Sequence, residues 1–393
     1  MKWFGRKSLG AQGTQGTQGA QGAQGAAGEG RRPALSPGGS VAALGSWPTS
    51  YEAQVRAGYL ENAIAQRAVR MVAEGVAAAP VTGVDPELVR LVCRRSAGQV
   101  LVETIAAQLL LHGNAFVQLL DDGRGGVGEL YALRPERVSV EPDANGWPVA
   151  FRYRVGAQVQ QLAAEDARGR AAVVHIKAFH PLDDHYGLGC LGAAAGAIAV
   201  HNAAARWNKA LLDNAARPSG ALVYDPGDGG VLSRDQFDRL RAEMEAGFAG
   251  AANAGRPMLL EGGLKWQAMS LTPADMDFNG LKAQAAREIA LAFGVPPMLL
   301  GLPGDNTYAN YREANRALWR LSILPLAERI LAELSQGLAG HFAEPALSVD
   351  LDRVPALAED RERLWGQVSG AEFLTREEKR AMVGVGPVVG AGL

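Results

Sequence analysis

The sequence predicts an α+β fold, with helices and strands in separate stretches of chain instead of regular alternation. Three observations carry that expectation. Apolar residues recur at helical spacing through Leu60, Ile64, Ala68, Met71 and Val72 until Pro80 stops the run. Short apolar or alternating segments then follow one another between residues 114 and 179, separated by turn residues that include Asn145-Gly146, so an antiparallel meander is expected. An Ala-rich helical stretch fills residues 191 to 214.

Composition sets the outer bounds. At 393 residues the chain has room for two or three domains, and 48% hydrophobic against 20% charged residues excludes wholesale disorder. Lys and Arg total 39 against 41 for Asp and Glu, and a net charge of −2 gives no bulk reason to grip DNA, RNA or an anionic membrane. The two cysteines, Cys93 and Cys190, form no CxxC pair, which points to a reducing compartment. Residues 1 to 9 are basic but lack the apolar centre of a secretory signal, so a cytoplasmic chain is expected. Tyr186 to Ala205 is free of charged residues, yet it is mostly Ala and Gly and contains His201 and Asn202, so no membrane span is expected.

In chain order, glycine falls at every third position from Gly10 to Gly28. Without proline this tract reads as a flexible Gly/Gln linker and not as collagen, and residues 1–50 are expected to be a tail. The fold begins near Tyr51. A second helix is expected from Ser96 to His112, with Val102, Ile105, Ala106 and Leu109 on one stripe and Gly113 as its stop. Strands follow at Asn114–Leu120, Glu129–Leu133, Arg137–Glu141, Val149–Val155 and Ala171–Phe179, with the Gly123–Gly128 stretch as a hairpin turn.

The long helix, Leu191 to Asn214, would reach about 36 Å. Arg217-Pro218 breaks it, a strand is expected at Ala221–Tyr224, and Ser233 with Gln236 forms a capping box for a helix whose buried stripe is Phe237, Leu240, Met244 and Phe248. A hairpin-like piece, Pro257–Met269 with Gly262-Gly263 at its turn, leads to Thr272-Pro273-Ala-Asp275, which opens a helix ending at Gly294. Residues 294–310 hold three prolines and three glycines and form a constrained loop. A final long helix, Tyr311 to Leu338, has Ala314, Leu318, Leu321, Ile330, Leu334 and Leu338 on its apolar side. Pro325 must kink it, because proline forfeits the bond to the Leu321 carbonyl. One more short helix, capped by Thr375 with Glu378, is expected after Asp352.

The sharpest chemical motif is Gly187-Leu-Gly189-Cys-Leu-Gly192, a GxGxxG between an apolar strand and a helix. It supports an alternative reading, a nucleotide-dependent enzyme built on Gly187, Gly189 and Gly192. Against it, seven residues separate the strand from the first glycine, and Asp213 ends the same helix instead of a second strand. The blander reading makes Gly189, Gly192 and Gly196 points of close helix packing between copies of the chain. His175, His180, Asp183, Asp184 and His185 lie close in sequence, but a strand followed by a loop aims them at no common point, so no metal site is expected. HExxH, Walker A and GxSxG patterns do not occur, and no cofactor is expected. Arg206, Lys209, Lys282 and Arg287 fall on the two helices that flank the central insertion, where a ring would repeat them around one axis.

The order of parts resembles the HK97-type phage portal proteins. The matching stretches are Asn62-Ala-Ile-Ala with Arg67 and Val69, Gly113-Asn-Ala-Phe116, Leu133-Arg-Pro-Glu-Arg-Val138, and Val174-His-Ile-Lys177 leading to Tyr186-Gly-Leu-Gly189. Further on come Asn214-Ala-Ala-Arg-Pro218-Ser-Gly220, Gly255-Arg-Pro-Met-Leu-Leu-Glu-Gly262, Glu288-Ile-Ala with Phe293-Gly-Val-Pro-Pro297, and Thr307-Tyr-Ala-Asn310. The resemblance implies a wing at 51–185, stem helices at 186–214 and 273–293 around a clip at 215–272, a tunnel loop at 294–310, a kinked wing helix at 311–351 and a short crown at 352–393.

It also implies a non-enzymatic ring of twelve copies at the unique capsid vertex of a tailed phage or gene transfer agent, assembled in the host bacterial cytoplasm. Such a ring conducts double-stranded DNA during packaging and ejection. Its implied partners are the major capsid protein, the terminase large subunit and a head–tail adaptor. Asp305, Asn306, Thr307 and Tyr308 are then the expected channel-lining residues, with Lys209, Lys282 and Arg287 as second candidates. The Gly/Gln tail is not part of the family pattern.

Overall fold

The structure is a computed structural model that describes residues 50–213, 220–224, 233–248, 264–268, 278–302 and 308–385. Ser50 caps a short helix α1 (Tyr51–Val55), which runs into a π-helical turn, Arg56–Leu60. Asn62 then caps α2 (Ala63–Ala78), its Oδ1 accepting the N–H groups of Ile64 and Ala65 at 3.1 and 3.0 Å. α2 buries Ala65, Ala68, Val69, Val72, Ala73 and Val76; of the expected stripe Ala68 and Val72 are buried and Ile64 and Met71 half-buried, so the core face is turned from the expected one. Leu60, expected on that stripe, lies in the π turn instead and is exposed.

Next come β1 (Val81–Gly83) and α3 (Pro86–Cys93), the latter capped by Asp85; neither was anticipated. A tight hairpin of β2 (Arg95–Ser96) and β3 (Gln99–Val100) follows, with Ala97 and Gly98 at φ 49° and 79°. Two consecutive positive φ values make a hairpin turn that no helix accommodates, so α4 runs only Leu101–Leu111 and not from Ser96. The start of α4 is thus moved by local turn geometry. Its buried residues include the expected Val102, Ile105, Ala106 and Leu109.

The strands that follow are β4 (Asn114–Asp121), β5 (Val127–Leu133), β6 (Val138–Pro142), β7 (Pro148–Val155), β8 (Gln158–Ala163) and β9 (Val173–Lys177). All pair antiparallel, and the turns between β4 and β5 and at Asn145-Gly146 fall where expected. The pairing is not one meander. β9 returns to β4, giving the order β5-β4-β9, while β8 adds to a separate β6-β7-β8 sheet. β8 escapes a hydrophobic scan because its sequence, QVQQLA, buries only Leu162. Phe116, Leu133, Val138, Phe151, Leu162 and Val173 pack between the two sheets as a second core beside the main helical one.

α5 (Cys190–Asp213) matches the expected long helix within a residue at each end. β10 (Gly220–Tyr224) pairs antiparallel with β11 (Leu264–Ala268), and between them α6 (Arg234–Phe248) opens on the predicted Ser233–Gln236 box. Phe237, expected to be buried on α6, is 56% exposed. The expected helix start at Thr272–Asp275 and the Gly262-Gly263 turn lie outside the described residues. α7 (Phe278–Ala292) ends at Gly294, which takes φ 64°.

A short 3₁₀ turn, Pro297–Leu300, precedes α8 (Tyr308–Leu318), a second π turn at Trp319–Ile323, and α9 (Leu324–Leu338). Pro325 sits at the start of α9, where its missing N–H is absorbed by the change of helix type. The extra residue of the π turn rotates α8 against α9 by about 100°. That rotation corrects one expectation: Leu321 is 77% exposed, although Leu318, Ile330, Leu334 and Leu338 are buried as predicted. The Ile323 side chain leans on α2 at Gly75, where an added Cβ would stand 2.9 Å from Ile323 Cγ1.

β12 (Leu347–Val349) closes on β1, joining the two ends of the fold. Two helices follow, α10 (Ala358–Gly370) and α11 (Arg376–Val383), one more than expected, and the Thr375–Glu378 capping box opens the second. Among the described residues no helix is long and apolar enough to cross a membrane.

Candidate functional site

The glycine motif is fastened by a buried polar knot. Asn114, 1% exposed at the start of β4, accepts the Gly187 N–H at 2.7 Å through Oδ1 and donates to the Gly187 carbonyl at 3.1 Å through Nδ2. These two bonds fix the orientation of the amide. Oδ1 therefore also accepts from His175 Nε2 at 3.0 Å, and Nδ2 donates to His112 Nδ1 at 3.1 Å. The His175 ring stacks on Phe116 with centroids 4.1 Å apart, and its burial, with Lys177, His112 and His185 nearby, lowers its pKa to about 3.

Glycine is required here by close backbone approach within the chain. A Cβ at Gly187 would meet the Ala178 nitrogen at 2.6 Å, and one at Gly189 the Leu111 oxygen at 2.5 Å. Gly192 differs: apart from its own helix and chain neighbours, nothing among the described residues lies within 4 Å of a Cβ placed there. The motif therefore seats a loop against antiparallel strands and presents no phosphate cradle. A concavity of about 980 Å³ between α1, α4 and residues 134–137 contains none of these glycines. Such an arrangement positions backbone, and the glycines on which the nucleotide-enzyme alternative was built are accounted for by packing at Gly187 and Gly189.

The remaining members of the His/Asp cluster are also engaged locally. His185 Nε2 bonds the Gly146 carbonyl at 2.7 Å, Asp183 accepts the N–H groups of His185 and Tyr186, and His180 Nδ1 accepts the Leu182 N–H. Among the described residues no group of three or more His, Cys, Asp or Glu side chains gathers as a metal would need.

A second polar clasp joins α2 to α5. Asn62, besides capping α2, donates to Asn202 Oδ1 at 2.8 Å and to His201 Nδ1 at 3.2 Å, while Asn202 donates to the Ala57 carbonyl at 2.8 Å. α5 packs lengthwise on α7. Leu191, Ala194 and Ile198 of α5 are buried, as are Ala285, Ala286, Ile289 and Ala290 of α7. Burial lowers the His201 pKa, and the nearby Lys282 charge lowers it further.

Of the expected channel residues, Lys209 is exposed on α5, and Lys282 and Arg287 are half-buried on α7. Arg206 is exposed one turn before Lys209. Asp305, Asn306 and Thr307 lie outside the described residues, and Tyr308 is the first residue of α8. The loop is anchored at its entry: the Ser322 hydroxyl, in the π turn, donates to the Gly294 carbonyl at 2.6 Å.

Sequence reading missed an ionic clamp between α8 and α10. Arg316, 15% exposed, pairs with Glu359 at 2.8 Å, Asp360 at 3.3 Å and Glu313 at 2.8 Å; Arg312 reaches Glu359 and Arg320 reaches Asp360. The spacing Arg312, Arg316, Arg320 at every fourth residue was the available signal, but its partners on α10 lie 40 or more positions away.

Comparison with known proteins gives this architecture its place. Residues 63–384 match the family described as "Phage portal protein". A chain in the neck of a native gene transfer agent particle, computed with C12 symmetry, is 48% identical; the match covers 87% of this chain and 95% of that one, with a TM-score of 0.67. The probable portal protein of Streptomyces phage phiC31 is 28% identical over 353 residues, covering 83% of this chain and 74% of the phage protein. An HK97-family portal protein from Corynebacterium diphtheriae, 20% identical with a TM-score of 0.57 over 79% of this chain and all of that one, shares the fold. The family is one of structural proteins, and on these matches the chain belongs to the phage portal protein family, HK97 type.

Proposed function

We propose that this chain is the portal subunit of a gene transfer agent particle, and that twelve copies form the ring at its neck through which double-stranded DNA is packaged and released. The observation that carries the reading is the 48% identity, across 87% of the chain, to a protein in a gene transfer agent neck computed with C12 symmetry. In this reading residues 51–185 are the wing, α5 and α7 the stem, 215–272 the clip, 294–310 the tunnel loop and 352–393 the crown. The major capsid protein, the terminase large subunit and a head–tail adaptor dock on the assembled ring.

Charge supports a conduit. A channel along which duplex slides should neutralise few phosphates per subunit, because each firm Lys or Arg contact adds counterion-release affinity and drag. A net charge of −2 meets that condition. Asp305, Asn306, Thr307 and Tyr308 line the channel at the tunnel loop, and Lys209, Lys282 and Arg287 shape the field along the stem. Energy for translocation comes from the separate motor.

Electron microscopy of the purified protein, paired with deletion of its gene, tests the proposal. Rings with a central hole wide enough for duplex, and DNA-free particles after deletion, are expected. A protein that stays monomeric at all concentrations, together with normally filled particles in its absence, would overturn it.

A further inference from the structure

Resting on the ring reading above, we infer that neighbouring subunits interlock through their stems, with Leu281 and Leu291 of α7 in one copy seated on the shallow face of Gly192, Gly196, Ala199 and Ala203 on α5 of the next. The partner is a second copy of this chain.

The two faces are unlike and lie on different helices. On α7 the buried side carries Ala285, Ala286, Ile289 and Ala290, while the opposite side exposes Leu281, Gln284, Glu288 and Leu291 at spacings of three, four and three. Leu291 is 79% exposed and Leu281 46%, so apolar side chains stand in water at both ends of one helical face. On α5 the buried residues Leu191, Ala194 and Ile198 point inward. About a third of a turn round the same helix, Gly192, Gly196, Ala199 and Ala203 form a face on which nothing exceeds a methyl group. The open space around a Cβ at Gly192 shows that its missing side chain answers no need inside the subunit, in contrast to Gly187 and Gly189.

Their levels along the stem correspond. Leu191 and Ile198, near the start of α5, share the main core with Ile289 and Phe293, near the end of α7, and the other ends of both helices lead into the paired strands β10 and β11. The helices are therefore antiparallel. Pairing Leu191 with Phe293 and Ile198 with Ile289 in that shared core brings Lys282 to about the level of His201, whose pKa its charge lowers. Nine residues on from Lys282 is Leu291, and nine residues back from His201 is Gly192, so both lie about 13 Å along the stem from that pair. By the same count Leu281 stands level with Asn202 and Ala203.

Cyclic symmetry joins subunits by rotation without translation along the axis. Matching levels within one subunit are therefore matching levels between neighbours. Large side chains on one helix then meet small ones on the other at the same height, and each subunit carries one face of each kind, as a head-to-tail ring interface requires.

The test exchanges volume across the interface. At Gly192 an added Cβ meets nothing outside its own helix within 4 Å, and Leu291→Gln alters a side chain already exposed, so in circular dichroism neither Gly192→Leu nor Leu291→Gln should melt below the parent. Mass photometry should then show the concentration for half-assembly raised at least tenfold in either variant. Gly192→Leu combined with Leu291→Ala should recover most of the loss. Rings that form in Gly192→Leu and in Leu291→Gln as readily as in the parent would overturn the interlock and leave the portal reading standing. A parent protein that forms no ring would remove the portal reading itself.

Discussion

Replacing Asn114 by leucine keeps the number of side-chain heavy atoms and removes the polar ones, so the knot is lost without leaving a cavity, although the leucine is the bulkier group. Four groups lose this partner: the Gly187 N–H, the Gly187 carbonyl, His175 Nε2 and the less buried His112 Nδ1. An unsatisfied buried polar group costs about 1–3 kcal/mol. At a position 1% exposed, water does not replace the amide in place. Partial relaxation of the loop at residues 178–189 recovers some of the sum, so the expected loss is about 3–5 kcal/mol. Urea denaturation of the dilute subunit measures it, and hydrogen exchange should show the amides of Gly187 and its neighbours opening first. A loss below about 1 kcal/mol would refute the assignment of Asn114 as the fastening point.

The remaining expectations concern other parts of the fold. Gly75→Ala should destabilise by about 1–2 kcal/mol, because overpacking against Ile323 outweighs the helix-propensity gain of about 1 kcal/mol; in an Ile323→Ala background the same change should become stabilising, and denaturation midpoints read the sign. Arg316→Ala should raise hydrogen exchange throughout α10, whereas Arg312→Ala, whose pair is about half exposed, should cost less than about 1 kcal/mol. His175 contributes a pH dependence of definite sign. Its folded pKa of about 3 lies below the ordinary 6.5, so the unfolded chain binds the extra proton, and stability should fall as pH drops from 6.5 towards 3. At pH 5 the loss from this group is about 2 kcal/mol. His112 and His201, also lowered by burial, act in the same direction, and His175→Phe should flatten the slope in a pH series of urea melts.

Local signals in the sequence translated well into structure. The long helix α5, the capping boxes at Ser233 and Thr375 and the Asn145-Gly146 turn were all legible, because each is decided within a few residues. What failed was non-local or a matter of phase. β1 pairs with β12 across more than 260 positions, β9 skips back to β4, and the π turn exposes Leu321; none of these leaves a local mark. At the candidate site, the glycine motif was visible but its meaning was not, since only the fold brings Gly189 against Leu111 and leaves Gly192 uncovered. Asn62 and Asn114 appeared only inside longer matching stretches, because an asparagine's burial and bonding partners are invisible in one dimension.

The β10–β11 ladder pairs Gly220 with Ala268 and Tyr224 with Leu264, so the chain leaves α5 and returns to α7 through a buckle of five residue pairs. Loop-closure cost rises only with the logarithm of length, about 0.6 kcal/mol for each doubling. Between Tyr224 and Leu264, chain length is therefore thermodynamically almost free, and an insertion there should leave the two helices behind the buckle in register. A fluorescent or affinity tag spliced into that stretch should be carried without disturbing the rest of the molecule.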